Sequence, residues 1–227
     1  MQRLDLAGLT TRLVGAADAT VTVVLLHGFG APGDDLVSLP QAIVAPARYA
    51  FPAAPLALGG MYGDARAWWL IDFAQLEREM RAGKDRDRAT PPDGLAEARA
   101  MVVKLVTELP RAPGGKLVLG GFSQGSMLAL DVALHLAAPP DGLILLSSTL
   151  IAQSEWAPRM ARLAGVPVFQ SHGQRDPLLP FAVAEELRDQ LRAAGAVVDW
   201  LPFGGAHEIP EAVLEGVGAF LRARADG

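Results

Sequence analysis

Cysteine is absent from the 227-residue chain, which excludes disulfide bridges, thiol nucleophiles and cysteine-ligated metal or iron–sulfur sites. No apolar run approaches the roughly 20 residues that are needed to cross a bilayer, and residues 1–20 contain no signal-peptide core. A basic excess is also missing, because 20 Lys and Arg stand against 25 Asp and Glu. We therefore expect a cytoplasmic protein with no integral membrane segment and no nucleic-acid partner.

The residues that are plentiful point to a folded, turn-rich protein. Hydrophobic residues make up 51% of the chain, the mean hydropathy is +0.25, and there are 24 glycines and 17 prolines. Such a composition can bury a large core and is not typical of disorder. The length suits one domain that spans residues 1–227.

Short apolar runs alternate with longer amphipathic stretches along the chain. The runs lack in-out alternation, which is typical of strands covered on both faces, and the stretches between them can supply the crossovers of a parallel sheet. Strands are predicted at 21–26, 116–120, 142–146, 166–169 and 197–201. Helices are predicted at 34–44, 71–81, 94–108, 124–137, 181–194 and 210–224, with a surface loop at 83–94. The predicted class is α/β, with a mostly parallel central sheet and helices on both faces.

One glycine motif suggests a dinucleotide site. Gly28, Gly30 and Gly33 form G-x-G-x-x-G directly after a predicted strand, as such a site requires. The acidic residue that should follow about 20 positions later is missing, since no Asp or Glu lies between Asp35 and Asp64. This absence disfavours a nicotinamide or flavin cofactor.

A second glycine motif predicts a nucleophile. Residues 121–125 read GFSQG, a G-x-S-x-G that follows a predicted strand and opens a predicted helix. A sharp strand-to-helix turn exposes the serine hydroxyl, and the flanking glycines relieve crowding around the turn. Ser123 is therefore the candidate nucleophile.

A serine nucleophile requires a base and an orienting carboxylate, in the hydrolase order Ser, Asp or Glu, then His. His207 follows the last predicted strand and is the candidate base. His135 lies on the predicted helix that follows Ser123 and receives no role. Asp176 lies just beyond the strand 166–169 and is the candidate acid. No metal site is predicted, because Glu211 stands where a zinc helix starting at His207 needs its second histidine.

At this point the chain resembles the α/β-hydrolase superfamily, and within it the phospholipase/carboxylesterase family that includes the acyl-protein thioesterases. The resemblance runs almost from end to end. It rests on LLHGFGAPGDDL at 25–36, FPAAP at 51–55, GGMYGDARAWWLID at 59–72, GGFSQGSMLAL at 120–130, GLILLSS at 142–148, SHGQRDPLLP at 171–180 and GGAHEIP at 204–210.

The resemblance implies an α/β-hydrolase fold without a large cap domain and assigns roles to several residues. Ser123, His207 and Asp176 would form the catalytic triad, and the backbone N–H groups of Phe29 and Gln124 would form the oxyanion hole. The acyl pocket would be lined by Met61, Trp68, Trp69, Leu70 and Leu178, although core packing of the two tryptophans is an alternative.

We expect a serine carboxylesterase that hydrolyses small to medium acyl esters through an acyl-enzyme and needs no cofactor. An acyl thioesterase or a lysophospholipase is the alternative within this class, so the expected partner is a small or lipid-derived acyl ester or thioester. The resemblance is also compatible with a homodimer. Two alternatives of other classes stay open: a dinucleotide-binding oxidoreductase and a catalytically silent binding protein on this scaffold.

Overall fold

A twisted, mostly parallel sheet lies at the centre of the protein, in a computed structural model that describes residues 1–60, 63–72, 74, 78, 81 and 87–226. The strands are β1 (Gln2–Leu6), β2 (Leu9–Val14), β3 (Val21–Leu26), β4 (Ala47–Pro52), β5 (Leu56–Ala57), β6 (Arg66–Ala67), β7 (Lys116–Phe122), β8 (Gly142–Leu146), β9 (Pro167–Gly173) and β10 (Val197–Phe203). The helices are α1 (Leu95–Glu108), α2 (Gln124–His135), α3 (Gln153–Trp156), α4 (Phe181–Ala193) and α5 (Glu211–Ala225), with 3-10 helices at Asp35–Gln41 and Ala157–Leu163.

Eight of these strands form one sheet in the order β1-β2-β4-β3-β7-β8-β9-β10. The pairings of β2 with β1 and with β4 are antiparallel, and all the others in this sheet are parallel. β3 lies in the middle, where Val21 is opposite Ala47 on one side and Lys116 on the other. The architecture confirms the predicted α/β class with a mostly parallel sheet.

Two apolar layers cover the two faces of the sheet, and β3 contributes to both. Val21, Val23 and Leu25 pack in one layer, together with residues of α5. Val24 and Leu26 pack in the other layer, with residues of α1, α2 and α4. Both faces of β3 are therefore buried, which explains its continuous run of apolar residues.

Most of the predicted elements agree with the structure to within two residues, and β3, β7, β8, β9 and β10 are all confirmed. β7 and β10 each extend two residues beyond the predicted end, and β9 extends four residues beyond it, to Gly173. The predicted burial of β10 on both faces is wrong, because this strand forms an edge of the sheet and its residues are partly or fully exposed.

Other elements were missed or differ. The strands β1, β2 and β4 were not predicted; β2 alternates buried and partly buried residues, as a strand near a sheet edge does. The predicted helix 34–44 is wrong, since only a 3-10 helix over Asp35–Gln41 forms and Pro40 within it cannot donate an α-helical hydrogen bond. The predicted helix 71–81 falls largely outside the described residues.

The parallel strands bring distant parts of the chain to one edge of the sheet. β3, β7, β9 and β10 all run in the same direction, so the loops that follow them begin at this edge. His27, Ser123, Asp176 and His207 lie in or at the start of those loops. No helix in the described part of the chain is long and apolar enough to span a membrane.

Candidate active site

Ser123 is the turn residue between β7 and α2 and has an unusual backbone conformation. Its φ of 53° and ψ of −120° lie in a region that residues other than glycine rarely adopt. Its N–H donates to the carbonyl of Leu146 at 2.9 Å, and its own carbonyl accepts from the N–H of Ser126 at 3.0 Å. These bonds to β8 and to α2 hold the strained turn in place.

The two glycines of the elbow are required by close backbone contacts. A Cβ at Gly121 would lie 2.4 Å from the carbonyl carbon of Gly125, and a Cβ at Gly125 would lie 2.0 Å from the carbonyl oxygen of Leu26. Both distances are far below any normal carbon contact. The structure thus confirms that the glycines relieve crowding between the turn and its neighbours.

Asp176 and His207 lie on two loops that are held together by backbone hydrogen bonds. The N–H of Gln174 donates to the carbonyl of Phe203 at 2.8 Å, and the N–H of Arg175 donates to that of Gly205 at 3.0 Å. This pairing continues the β9–β10 ladder beyond the strand ends. As a result, Nδ1 of His207 lies 2.6 Å from Oδ2 of Asp176.

The carboxylate of Asp176 is held ionised by its hydrogen bonds. Its side chain has no exposed surface, and its Oδ1 accepts the N–H groups of Leu178 and Leu179 at 2.8 and 2.9 Å. Burial alone raises the pKa of Asp176, but these N–H groups and His207 outweigh it and hold the pKa below its usual value. The carboxylate can therefore accept the Nδ1 proton of His207 and fix the tautomer of that imidazole.

His207 lies beside the nucleophile elbow. Its ring centroid is 4.8 Å from that of Phe122, the residue that precedes Ser123, and its side chain is 13% exposed. With Nδ1 bound to Asp176, the lone pair of the ring is on Nε2. The structure thus brings the three residues of the predicted triad to one end of the sheet.

Hydrogen bonds of Gln124 connect the region predicted to bind the oxyanion to residues 68–69. Gln124 is the first residue of α2, so its N–H has no acceptor within the helix. Its side chain is buried, accepts from the N–H of Trp68 at 3.0 Å and donates to the carbonyl of Trp69 at 2.9 Å. The side chain therefore holds residues 68–69 against the helix terminus.

His27 fixes the other side of this region. Its Nε2 accepts the N–H of Ala54 at 3.0 Å, so Nδ1 carries the proton and donates to the carbonyl of Gly28 at 2.9 Å. Burial lowers the pKa of His27, which keeps the ring neutral in this role. A Cβ at Gly28 would lie 3.5 Å from Cβ of Ser123, so this loop, which continues into Phe29, runs directly beside Ser123.

The structural roles of two buried histidines, His27 and His172, were not predicted from the sequence. His27 and His172 both precede a glycine at the carboxyl end of a strand, and this His-Gly pattern is the signal that could have identified them. The imidazole of His172 is fully buried, and its Nε2–H donates to the carbonyl of Leu179 at 2.9 Å. Burial lowers its pKa, so this ring is also neutral.

The residues predicted to line the acyl pocket fall into two groups. Trp68 and Trp69 are each only 2% exposed and belong to the core, and Nε1 of Trp68 donates to the carbonyl of His27 at 2.9 Å. Leu70 and Leu178 are 66% and 65% exposed. Met61 lies outside the described residues. A substrate-binding role for these residues stays a prediction.

One cluster among the described residues could hold a metal ion, but its carboxylates already have a partner. Asp131, His135 and Glu155 present ligand atoms within 4.8 Å of one another, but Arg99 pairs with both carboxylates, at 2.6 and 2.7 Å. A cation there would have to displace this guanidinium. The G-x-G-x-x-G segment is followed by the 3-10 helix Asp35–Gln41, whereas a dinucleotide site needs the amino terminus of an α-helix.

Comparison with known proteins identifies one family and one fold. Residues 13–225 match the sequence model of the phospholipase/carboxylesterase family. Acyl-protein thioesterase 1 of Neurospora crassa is 26% identical over 217 residues, which cover 90% of this chain and 87% of that protein. The crystal structure of esterase PE8 has a TM-score of 0.78 and 27% identity, covering 95% of this chain and 99% of that one. Acyl-protein thioesterase 2 of Zea mays shares the fold, with a TM-score of 0.71 at 22% identity and coverage of 95% and 98%.

Proposed function

The chain belongs to the phospholipase/carboxylesterase family of α/β hydrolases, and we propose that it hydrolyses acyl thioesters and esters by means of Ser123, His207 and Asp176. The observation that carries the proposal is the 2.6 Å contact between Nδ1 of His207 and Oδ2 of Asp176, on a ring that packs beside the Ser123 elbow. A serine on a strained turn with an oriented imidazole next to it is the arrangement that nucleophilic catalysis requires.

The reaction proceeds in two halves. Nε2 of His207 accepts the proton of Ser123 Oγ as the oxygen attacks the acyl carbon, and the ionised Asp176 stabilises the resulting imidazolium. Collapse of the tetrahedral intermediate expels the thiol or alcohol, which receives that proton, and leaves an acyl-serine ester. Water then attacks this ester with His207 as base, and the carboxylic acid and free Ser123 are released.

The negative charge on the acyl oxygen is stabilised by two backbone N–H groups, those of Phe29 and Gln124. Gln124 begins α2, so the positive end of the helix dipole adds to its N–H. The loop of Phe29 is positioned by the hydrogen bonds of His27 on one side and by the N–H of Gly30, which donates to Arg66 at 2.9 Å, on the other. Such preorganisation of donors is the largest single contribution in many acyl-transfer sites.

Thioesters are placed first among the substrates. The curated relative from Neurospora crassa is named an acyl-protein thioesterase, and this favours the thioester over the small oxygen ester that the sequence had suggested first. An oxygen ester remains the second candidate because the structural neighbour PE8 is an esterase. Leu70 and Leu178 offer exposed apolar surface for the acyl chain: Leu70 follows Trp69, whose carbonyl binds Gln124, and the N–H of Leu178 binds Asp176.

The test compares substrates that differ in one atom. Octanoyl-N-acetylcysteamine and octanoyl-N-acetylethanolamine carry the same acyl chain on sulfur and on oxygen, and kcat/KM is measured for both with the wild type, Ser123→Ala and Ser38→Ala. Ser38 is an exposed serine of the 3-10 helix and serves as the matched control. We expect hydrolysis by the wild type and the control, with faster turnover of the thioester, and a loss of at least about 10³-fold in Ser123→Ala.

Two results would contradict the proposal. Equal activity of Ser123→Ala and the wild type would remove the serine from the mechanism. Absence of hydrolysis together with failure of a fluorophosphonate to label Ser123 would favour a binding protein on a hydrolase scaffold. Faster turnover of the oxygen ester would retain the mechanism and reverse the order of the two substrates.

A further inference from the structure

A polar cavity of about 290 Å³ lies at the edge of the molecule formed by the β1–β2 hairpin. Its lining comes from that hairpin, from residues that follow β3 and β4, and from the start of β6. β3 and β4 are parallel, so these segments lie at the same end of the sheet as Ser123. The volume is near the lower end of the range of about 300–1,000 Å³ that is usual for small-molecule sites.

Three arginines and two aspartates line this cavity, in a protein whose formal net charge is −5. Arg3 and Arg12 are direct cross-strand partners in the β1–β2 ladder, and like charges in this position repel each other. Asp34 relieves only one of them, through a 3.0 Å ion pair with Arg12. Throughout the described residues, no carboxylate lies within ion-pair distance of Arg3 or Arg66.

Arg66 is held in place without being neutralised. Its Nε and Nη2 donate to the backbone carbonyls of Ala54 and Pro55, and no acid among the described residues shares the guanidinium. Carbonyl acceptors orient a guanidinium but leave its charge uncompensated. A fixed, partly buried cation at the wall of a cavity is therefore available to an anion.

The same residue also connects the cavity with the loop next to the nucleophile. The backbone N–H of Arg66 donates to Ala31 at 3.0 Å, and its carbonyl accepts from Gly30 at 2.9 Å. Gly30 directly follows Phe29. Arg66 thus presents its side chain to the cavity while its backbone is hydrogen-bonded to the loop that carries a proposed oxyanion donor.

We propose that this cavity is a subsite for a carboxylate or phosphate group, bound by the guanidinium groups of Arg3 and Arg66. Both anions match the planar fork of an arginine and can bridge two of them, which removes the repulsion between Arg3 and Arg12. Asp34 remains paired with Arg12, and with the exposed Asp64 the lining holds three arginines against two aspartates, a formal excess of one positive charge that favours an anion. The anion is carried by the acyl substrate, and this part of the inference rests on the proposed function.

The first experiment measures binding and does not depend on hydrolysis. Inorganic phosphate is titrated into the wild type, Arg3→Gln and Arg111→Gln by isothermal calorimetry at constant ionic strength. Arg111 is exposed and precedes β7, at the opposite end of the sheet, so its variant carries the same change in net charge outside the cavity. We expect Arg3→Gln to weaken binding about tenfold and Arg111→Gln to leave it unchanged.

Several outcomes of the titration overturn the subsite. They are the absence of phosphate binding to the wild type, equal binding to the wild type and Arg3→Gln, and equal weakening in both variants. Because Arg3 is exposed on β1, Arg3→Gln leaves the core intact. Arg66→Lys provides a second variant that retains the charge but loses the fork, and we expect it to weaken binding as well.

The second experiment identifies the source of the anion. Three esters differ in where they carry a carboxylate. Phenyl butyrate has none, 4-butyryloxybenzoate has one on the leaving group, and phenyl hydrogen glutarate has one on the acyl group. We expect Arg3→Gln to lower kcat/KM for one of the charged esters about tenfold relative to the neutral one, with no such change in Arg111→Gln. If phosphate binds but these ratios are unchanged, the site accepts free anions and the substrate role is wrong. If phosphate binds but the wild type hydrolyses neither these esters nor octanoyl-N-acetylcysteamine, the proposed function fails and the anion site stands.

Discussion

The imidazole of His172 lies against the carboxylate of Asp176, with Nε2 of the histidine 3.4 Å from Oδ2 of the acid. Nδ1 of His207 lies 2.6 Å from the same oxygen. His172 also donates to the carbonyl of Leu179, whose N–H binds Oδ1 of Asp176. His172 therefore braces the turn that presents the carboxylate, while its buried Nδ1 finds no hydrogen-bond partner in the described part of the protein.

Two replacements of His172 should distinguish the effect of its N–H donor from the effect of its size. Glutamine can place an amide N–H close to the position of Nε2, whereas leucine leaves the carbonyl of Leu179 without a donor, which costs about 1–3 kcal/mol. We expect His172→Leu to lower kcat about tenfold or more through displacement of Asp176, and His172→Gln to retain more of it. The measurements are kcat as a function of pH and the free energy of unfolding in urea. An equal loss of kcat in both variants would show that only the bulk of the ring matters.

The backbone strain at Ser123 predicts a gain in stability when function is removed. A residue with a side chain at this φ and ψ is strained by about 1–3 kcal/mol, and glycine avoids this strain. Glycine also makes the unfolded chain more flexible, which lowers the free energy of unfolding by about 0.4–1 kcal/mol. We expect Ser123→Gly to be more stable than Ser123→Ala by about 1 kcal/mol, or about 2–4 °C in Tm. Thermal melts of the two inactive variants check this, and a lower Tm for the glycine variant would contradict it.

Two glycines near Ser123, Gly125 and Gly30, should respond very differently to replacement by alanine. A Cβ at Gly125 meets the backbone oxygen of Leu26 at 2.0 Å, which neither element can avoid, so Gly125→Ala should cost more than about 4 kcal/mol or prevent folding. A Cβ at Gly30 meets open space, and only its φ of 79° opposes alanine, by about 1–2 kcal/mol. Urea midpoints of the two variants test the contrast, and similar midpoints would refute the packing argument.

The lowered pKa of Asp176 predicts how acid affects stability. Because its carboxylate is favoured in the folded state, its contribution is present above the unfolded pKa of about 3.9 and is lost as the pH falls through the lower folded pKa. The difference in unfolding free energy between wild type and Asp176→Asn should be constant above about pH 5 and should shrink at lower pH. Urea titrations from pH 7 to pH 3 measure it; a difference that does not change with pH would be inconsistent with an ionised, hydrogen-bonded Asp176.

Features that depend on local pattern could be predicted from the sequence. β3 is apolar throughout because both of its faces are buried, and its predicted bounds agree with the structure. The G-x-S-x-G motif predicts the strand-to-helix turn that the structure contains, and Gly121 is required by a contact within that turn, whereas Gly125 is required by the backbone of Leu26 in β3. Asp176 and His207 each follow a parallel strand, which was enough to expect them at one edge of the sheet.

Features that depend on tertiary neighbours could not be predicted in this way. The burial of Trp68 follows from the positions of His27 and Gln124, which are far from it in the chain, and no local pattern contains that information. The bracing role of His172 likewise depends on where the chain places Leu179. The arginine-lined cavity arises from the β1–β2 hairpin, whose alternating polar residues were not recognised as strands.

The position of β3 between β4 and β7 has a consequence for synthesis of the chain on the ribosome. One edge of β3 can pair as soon as residues 47–50 have emerged, but the other edge pairs with residues 116–121. During translation of the intervening segment, a strand that is apolar on both faces has an open edge, which is the kind of surface that aggregates. Nascent chains that stop before residue 116 should therefore need a chaperone, and release from it should follow completion of β7.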